Sequence, residues 1–315
     1  MDKRLVAVLL VVLLVVFAGC KGIGGGTDKS KSTIEKFRTG SKGLLLSFVP
    51  GTPPARFIGE GKFTVAVQLK NAGATTIDGS TFGGNVYVSG FDPNIITGMK
   101  TADGIGALGG KGLFDPEGEF EIKEFSGNVA LRPDVDTYKP TFQVTSCYSY
   151  ETLAIALVCI DPDPFSVTSK QKVCFSKDVS LSGGQGAPVA VTKVELSPTT
   201  DKLRFVIQLS NVGGGTVYAQ GSQNCNPYSP GLSFKEIDEI GLQEVKVANS
   251  DITSTCKPLT NGKIKLISGK RSVFCELDMA GFRNTPAFNT PISVKLRYGY
   301  RDSVTKTVEI VRAPS

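Results

Sequence analysis

Three stretches of this chain alternate large apolar residues with small or polar ones: residues 63–69, 203–209 and 292–298. Alternation with a period of two, bounded by Gly, Pro and Asn, is typical of half-buried antiparallel β-strands. No segment of a dozen residues shows the period of an amphipathic helix, and residues 234–247, which could hold a short one, come nearest. The pattern therefore predicts an all-β chain.

The chain also contains an internal duplication. Residues 67–73 match residues 207–213 at an offset of 140, and residues 142–160 match residues 292–310 at an offset of 150 without a gap. Each copy spans roughly 120 residues, which suits a seven-stranded β-sandwich with long loops. We therefore predict two tandem β-sandwiches.

Two motifs recur in both copies. The Asn-x-Gly motifs at residues 71–73 and 211–213 predict the end of an inner strand, because Asn and Gly tolerate turn conformations. The Tyr-x-Tyr motifs at residues 148–150 and 298–300 are expected in hairpins that supply the last two strands of each sandwich. Alternation turns both rings of each motif toward the core, which disfavours a sugar-stacking platform.

The strand form apolar-x-apolar-x-x-Asn-x-Gly, ending at Gly73 and Gly213, resembles immunoglobulin-like modules of prokaryotic surface proteins. The resemblance is to the adhesion-related type called CARDB. It implies two immunoglobulin-like sandwiches that serve as stalks, spacers or binding domains. Such a fold does not determine a ligand.

Residues 1–20 resemble a lipoprotein-type signal peptide. Lys3 and Arg4 precede an apolar run over residues 5–18, and small residues precede Cys20. A signal needs about 7–15 apolar residues, whereas a membrane-spanning helix needs about 20. We expect Cys20 to carry the lipid and to become the N-terminus, with a retained signal-anchor helix as the alternative.

The expected organisation beyond the signal has four parts. Residues 21–41 form a flexible Gly/Ser/Lys-rich tether, residues 42–162 the first immunoglobulin-like sandwich, residues 163–186 a linker and residues 187–313 the second sandwich. Of the net charge of +6, residues 21–42 next to the anchor carry +4, and anionic lipid headgroups would attract this segment. No aromatic-interleaved basic patch remains for nucleic acid.

The chain contains no His. That removes the commonest general base and the commonest transition-metal ligand, so the composition favours a non-catalytic protein without a cofactor. A hydrolase that uses carboxylates is the remaining catalytic alternative.

Six cysteines remain once Cys20 is set aside: Cys147, Cys159, Cys174, Cys225, Cys256 and Cys275. An even number in an exported protein indicates disulfides, and the absence of a close Cys-x2–4-Cys pair disfavours zinc. A hairpin with Tyr148 opposite Val158 places Cys147 against Cys159 within disulfide reach. Cys174 would then bridge to the second sandwich. Other pairings and free thiols remain alternatives, but three cysteines on each side require a cross-link if all pair.

Three motifs resemble functional sites. Residues 181–185 spell the ABC-ATPase signature peptide, and residues 104–109 the dinucleotide fingerprint. Both lack the flanking strand, helix or P-loop that the chemistry needs, so a linker and a mobile loop are the better interpretations. Residues 161–164 (Asp-Pro-Asp-Pro) could offer carboxylates to calcium with Asp115 or Glu117, although a stiff linker is the simpler account.

These observations predict a lipid-anchored extracytoplasmic protein at the cell surface. Its paired sandwiches would act as a structural or adhesion-type binding module toward an extracellular or envelope protein. The alternative is an accessory subunit of a secretion, transport or pilus-like assembly. An exposed edge strand in either sandwich could add a partner strand, but the sequence does not say which edge is open.

Overall fold

Regular structure in the described part of this chain is almost entirely β. The computed structural model describes residues 37–166, 172–283 and 285–314. Within these ranges the helical segments are three 3₁₀ turns, Gln223–Cys225, Thr253–Thr255 and Ala280–Phe282. The all-β prediction is confirmed, and most of the stretch nearest to a helical period forms a strand, Glu239–Val247.

Nineteen strands lie in the described ranges. In chain order they are β1 Leu44–Phe48, β2 Arg56–Ile58, β3 Gly61–Asn71, β4 Gly84–Ser89, β5 Ile96–Thr97, β6 Ala102–Gly104, β7 Phe120–Val129, β8 Thr137–Tyr138, β9 Thr141–Ile160, β10 Val179–Ser180, β11 Val189–Pro198, β12 Lys202–Asn211, β13 Thr216–Tyr218, β14 Glu239–Val247, β15 Ser250–Asp251, β16 Lys263–Lys265, β17 Lys270–Asp278, β18 Phe288–Thr307 and β19 Glu309–Val311.

Each repeat contains one four-stranded sheet, and three strands of each sheet correspond, β1-β3-β7 in the first and β11-β12-β17 in the second. The first has the order β1-β3-β7-β5 and the second β10-β11-β12-β17. The duplicated inner strands are β3 and β12, which end at Asn71 and Asn211 as the Asn-x-Gly motifs predict. An eight-stranded sheet, with the main order β15-β14-β18-β9-β4-β6, faces both of them.

The predicted hairpins are wrong: β9 and β18 are each one continuous strand of 20 residues. They pair antiparallel over their whole length, from Phe288 opposite Ile160 to Thr307 opposite Thr141. The reason is visible in residues 151–157, which contain no Gly, Pro, Asn or Asp to form a turn. The alternation simply continues, and the strand continues with it.

Pairing of these two long strands exchanges structure between the repeats. The N-terminal half of β9 packs on the first four-stranded sheet, where the rings of Phe142 and Phe63 stack at 5.4 Å. Its C-terminal half lies against the second sheet, where the Thr152 hydroxyl donates to the Val189 carbonyl at 2.6 Å. The later half of β18 returns to the first sheet, and Lys306 lies over the Phe48 ring.

The end of the second repeat is likewise built into the first. Strand β19 pairs in parallel with β2 and antiparallel with β8, which makes a three-stranded sheet. Ile310 at its centre is fully buried. Each β-sandwich is therefore completed by a strand of the other repeat, and residues from Phe37 onward form one compact unit.

The four tyrosines of the Tyr-x-Tyr motifs meet where β9 and β18 cross the centre of the unit. Tyr148 lies opposite Tyr300, and Tyr150 opposite Tyr298. All four are at most 1% exposed, which confirms the prediction that they face the core. Burying each such ring stabilises the fold by roughly 1.5–3 kcal/mol.

Each tyrosine hydroxyl is bonded to the four-stranded sheet of its own repeat. The Tyr150 hydroxyl donates to Asn71 Oδ1 at 3.2 Å, and the Tyr300 hydroxyl to Asn211 Oδ1 at 3.3 Å. Tyr148 accepts from the Leu44 amide and Tyr298 from the Val189 amide. Because a buried hydroxyl without a partner is destabilising, these bonds fix the two sheets relative to the central one.

The predicted tether and linker meet in the described part of the chain. The Gly40 amide donates to the Gly183 carbonyl at 2.6 Å, and the Gly186 amide to the Gly40 carbonyl at 3.0 Å. Residues 37–41 therefore belong to the folded unit. The predicted signal over residues 1–20, Cys20 and the first part of the tether lie outside the described residues.

Candidate functional site

A polar cavity lies on the face of the central sheet that points away from both four-stranded sheets. Its volume is about 360 Å³. The side chains that line it include Gln143, Thr145, Thr216, Cys225, Arg301 and Ser303. Strands from both repeats contribute to its walls, so the exchange of β9 and β18 shapes this cavity directly.

The segment that follows β12 forms one wall of the cavity. It pairs with β18 through β13, where Tyr218 lies against Gly299 so closely that no side chain other than Gly fits there. It then crosses to the first repeat, to which the Cys147–Cys225 disulfide joins it. The Tyr228 hydroxyl donates to the Val88 carbonyl further along. This crossing segment, residues 213–238, is thus attached to both repeats.

Glu236 holds the crossing segment in shape. Its carboxylate accepts hydrogen bonds from the Ser222 hydroxyl at 2.5 Å, from the Asn224 amide group and from the Ser233 backbone. These bonds favour the ionised form and lower the pKa of Glu236 to about 2. The turn that carries Cys225 is therefore organised around a carboxylate that stays charged at neutral pH.

Arg301 is the principal charged group facing this cavity. It lies on β18 between Cys147 of β9 and Thr216 of β13. Within the described ranges its guanidinium has no hydrogen-bond or ion-pair partner. Its neighbour Asp302, which also lines the cavity, accepts a hydrogen bond from the Ser303 amide and lies 3.7 Å from Lys42.

The position equivalent to Arg301 and Cys147 in the other half of the sheet holds an ion pair. The 150-residue offset makes Glu151 the counterpart of Arg301 and Arg297 the counterpart of Cys147. Glu151 and Arg297 form an ion pair at 2.8 Å. On the cavity side the disulfide cysteine replaces one member of that pair, which leaves Arg301 without a carboxylate.

Hydroxyl and amide groups line the cavity together with Arg301. Thr145 Oγ1 and Ser303 Oγ lie 3.0 Å apart on paired strands, and Gln143 follows on β9. These groups both donate and accept hydrogen bonds. The arrangement can hold a polar, negatively charged ligand in a fixed orientation.

All six cysteines outside the signal form disulfides, with other partners than the expected ones. The bonds are Cys147–Cys225, Cys159–Cys174 and Cys256–Cys275. The predicted Cys147–Cys159 bond is wrong, because the two residues lie on one continuous strand and not on facing arms of a hairpin. The cross-link expected from three cysteines on each side is present, through Cys147 instead of Cys174.

The calcium alternative at residues 161–164 is not supported in the described part of the chain. The Asp161 carboxylate is buried and forms an ion pair with Lys172 at 2.7 Å. Glu117 is paired instead with Lys70 in the first four-stranded sheet. No group of three or more acidic or Cys side chains that could hold a metal ion occurs among the described residues.

The two glycine-rich motifs have structural roles. Gln185 of the first is buried and exchanges hydrogen bonds with the backbone of Val191, at 2.9 and 3.1 Å. The second begins at the end of β6, and Glu121 and Glu119 accept hydrogen bonds from the amides of Gly106 and Gly109. Both motifs are held by bonds within the fold.

One sheet edge is open in the first repeat and covered in the second. On the side away from β3, the described partners of β7 are Ile96 and Thr97 near its end, which leaves residues 120–126 without one. The corresponding edge strand β17 bonds with residues 255–257, and the Cys256–Cys275 disulfide ties that segment to it. In the described part of the chain, residues 120–126 of β7 are therefore an open edge of the first repeat.

Sequence reasoning missed Arg301 and the crossing segment. The 150-residue offset contained a signal, because it sets Arg301 against Glu151 and Arg297 against Cys147. The difference between the two positions predicts an arginine without a carboxylate partner only if β9 and β18 pair with each other. The predicted hairpins paired each of these segments with itself, so the comparison was not made.

No protein-family model matches the chain, and no curated protein matches it. Among solved structures, the chain is similar to the secreted serine protease VesC from Vibrio cholerae at 14% identity and a TM-score of 0.20, over 87% of this chain and 52% of that one. The chain thus spans about half the length of that structure.

Two streptococcal domains show a similarity of the same order. For the C-terminal domain of the Streptococcus agalactiae antigen I/II polypeptide BspA the identity is 6% and the TM-score 0.16, over 86% of this chain and 100% of that one. For the C-terminal domain of the Streptococcus pyogenes antigen I/II-family protein AspA the identity is 9% and the TM-score 0.16, over 87% of this chain and 100% of that one. At such TM-scores none of the three similarities carries an argument about this chain.

Two further findings concern the environment of the protein. The three disulfides indicate an oxidising, extracytoplasmic environment. None of the helical segments in residues 37–166, 172–283 and 285–314 has the length and apolar character needed to cross a membrane.

Proposed function

We propose that this protein is a membrane-anchored extracytoplasmic lipoprotein that serves as a non-catalytic, adhesion-type binding module. In this proposal Cys20 carries the lipid, and two immunoglobulin-like units related to CARDB modules form the folded part. The basic residues that follow Cys20 favour contact with anionic headgroups. The disulfides agree with a protein that works outside the cytoplasm.

The observation that carries the binding role is the preformed cavity between the repeats. Its walls come from β9, β18 and the crossing segment, which the Cys147–Cys225 bond holds together. A site that is already ordered loses little conformational entropy when a ligand binds. Rigid presentation of such a site suits a binding module better than a flexible pair of domains would.

Intact-mass measurement of the protein extracted from membranes tests the anchor and the compartment together. We expect a chain that begins at Cys20, carries a diacylglycerol-sized lipid and gains about 6 Da when its three disulfides are reduced. A mass that retains Met1 and does not change on reduction would refute the proposal.

The open edge of β7 favours one second candidate, an accessory subunit of an envelope assembly. An extended segment of another subunit can pair with residues 120–126 by strand addition. Isolation from membranes in mild detergent separates the two candidates: an adhesion module is recovered alone, and a subunit in a stoichiometric complex. Ile122→Pro would remove an edge N–H and release the complex, whereas Ile122→Val would retain it.

A further inference from the structure

We propose that the cavity beside the Cys147–Cys225 disulfide binds a small carboxylate that also carries hydroxyl groups, of the uronic-acid class, with Arg301 as its anchor. The inference rests on the proposed binding function and names the ligand chemistry of the same site.

The two halves of the sheet show what Arg301 lacks. Arg297 forms an ion pair with the Glu151 carboxylate at 2.8 Å. Its guanidinium also lies over the Phe82 ring, 5.2 Å from the ring centroid. Arg301 faces Cys147 instead, and Cys147 is committed to a disulfide. A guanidinium binds a carboxylate through two parallel hydrogen bonds. A carboxylate supplied by a ligand would restore at Arg301 the interaction that Arg297 already has.

The charge of the cavity is compatible with an anion. Asp302 also lines the cavity, but successive residues of a strand point to opposite faces, so its side chain leaves β18 on the other side from that of Arg301. Lys42 lies 3.7 Å from the Asp302 carboxylate and offsets its charge. The crossing segment and the sheet partly shield Arg301 from water, which strengthens its attraction for a negative group.

The remaining polar groups favour a ligand with hydroxyls over a simple anion. Thr145, Ser303 and Gln143 lie along the paired strands next to Arg301. Their hydroxyl and amide groups can donate to ligand oxygens and accept from ligand hydroxyls. A volume of about 360 Å³ lies at the lower end of the range for small-molecule sites and suits one sugar-sized ligand.

Titration calorimetry of the folded protein with D-glucuronate, and with D-glucose as the neutral match, tests this assignment. We expect saturable binding of glucuronate at one site and no detectable binding of glucose. Arg301→Gln should weaken glucuronate binding about tenfold to a hundredfold, because a charge-assisted hydrogen-bonded pair is lost. Arg297→Gln, at the counterpart position, should leave the affinity unchanged.

Arg301→Lys serves as a second variant, since it keeps the charge and the fold but loses the two-pronged geometry. We expect an affinity between those of the wild type and Arg301→Gln. The assignment is overturned if glucuronate does not bind, if Arg301→Gln binds it as the wild type does, or if inorganic phosphate binds equally well. The intact-mass result does not depend on these outcomes, so failure of this inference is distinguishable from failure of the proposed function.

Discussion

Ser149 lies opposite Gly299 at the centre of the paired strands β9 and β18. The 150-residue offset maps this pair onto itself, whereas it maps Tyr148–Tyr300 onto Tyr150–Tyr298. The two repeats are therefore related by an approximate twofold axis through this pair. An exchange of strands about such an axis is the intramolecular equivalent of domain swapping between two copies.

This exchange predicts that neither repeat folds alone. A fragment of residues 37–186 lacks the later half of β18 and all of β19, which complete its sandwich and bury Ile310. We expect the isolated fragment to give no cooperative thermal transition by circular dichroism. Mixing it with residues 187–314 should restore the transition, and a cooperative transition of the first fragment by itself would contradict the exchange.

Gly73 is expected to be intolerant of a side chain. A Cβ at this position would lie 2.0 Å from the Tyr150 hydroxyl and 2.5 Å from the Gly186 carbonyl. Gly73→Ala should therefore lower the free energy of unfolding by about 1–3 kcal/mol, as overpacking of a core does. Denaturant unfolding measures the change, and Gly104→Ala, which has nothing within 4 Å of its Cβ, is the matched control. Equal stability of the two variants would show that the Gly73 contact is relieved elsewhere.

The three disulfides should contribute unequally. Cys147–Cys225 closes a separation of 78 residues, compared with 15 for Cys159–Cys174. On the chain-entropy model, replacing the first pair by Ala costs about 4.5 kcal/mol and replacing the second about 3 kcal/mol. Chemical unfolding of the two double variants tests the order. Hydrogen exchange should also increase in residues 213–238 when the first pair is removed, and protection there as in the wild type would contradict the role given to this bond.

Alkaline pH is expected to unfold the protein through its buried tyrosines. Burial raises the pKa of Tyr300 to about 12 and also raises the pKa of Tyr148, Tyr150 and Tyr298. An unfolded phenol loses its proton near pH 10, so above that pH the unfolded state holds fewer protons than the folded state. The free energy of unfolding is then unaffected by these groups below pH 10 and falls as the pH rises beyond it.

Thermal unfolding as a function of pH, followed together with phenolate absorbance, measures this effect. Tyr300→Phe should make the decline above pH 10 shallower, because one of the coupled phenols is gone. Tyrosines of the core that titrate near pH 10 without unfolding would refute the prediction.

Acid should loosen the crossing segment before the rest of the fold. The pKa of Glu236 is lowered to about 2 by its hydrogen bonds, compared with 4.5 in the unfolded chain. Its stabilising effect is present above pH 4.5 and is lost as the pH falls toward 2. Hydrogen exchange in the segment should rise over that interval. Glu236→Gln should show the raised exchange already at neutral pH, whereas Glu124→Gln, an exposed residue of β7, should not.

The sequence by itself determined the local part of this structure. Alternation in residues 63–69 and 203–209 identified the inner strands β3 and β12, because a strand buried on one face needs an apolar side chain at every second position. The same rule placed the tyrosine rings in the core. The Asn-x-Gly motif located the strand ends, where Gly73 and Gly213 leave room for Tyr150 and Tyr300.

Only the tertiary structure decided which strands pair and which cysteines meet. A continuous strand and a hairpin have the same alternation, so the sequence of residues 142–160 is compatible with both. Pairing with the second repeat over the whole length of β9 shows that the strand is continuous. Strand β18, and not the other half of β9, lies next to residues 141–160 in the sheet. Cys147 is therefore not opposite Cys159 and forms its disulfide with Cys225. For the same reason Arg301 lies opposite Cys147 and has no carboxylate there. Pairing is a property of residues far apart in the chain, and a periodicity within one segment carries no information about its partner.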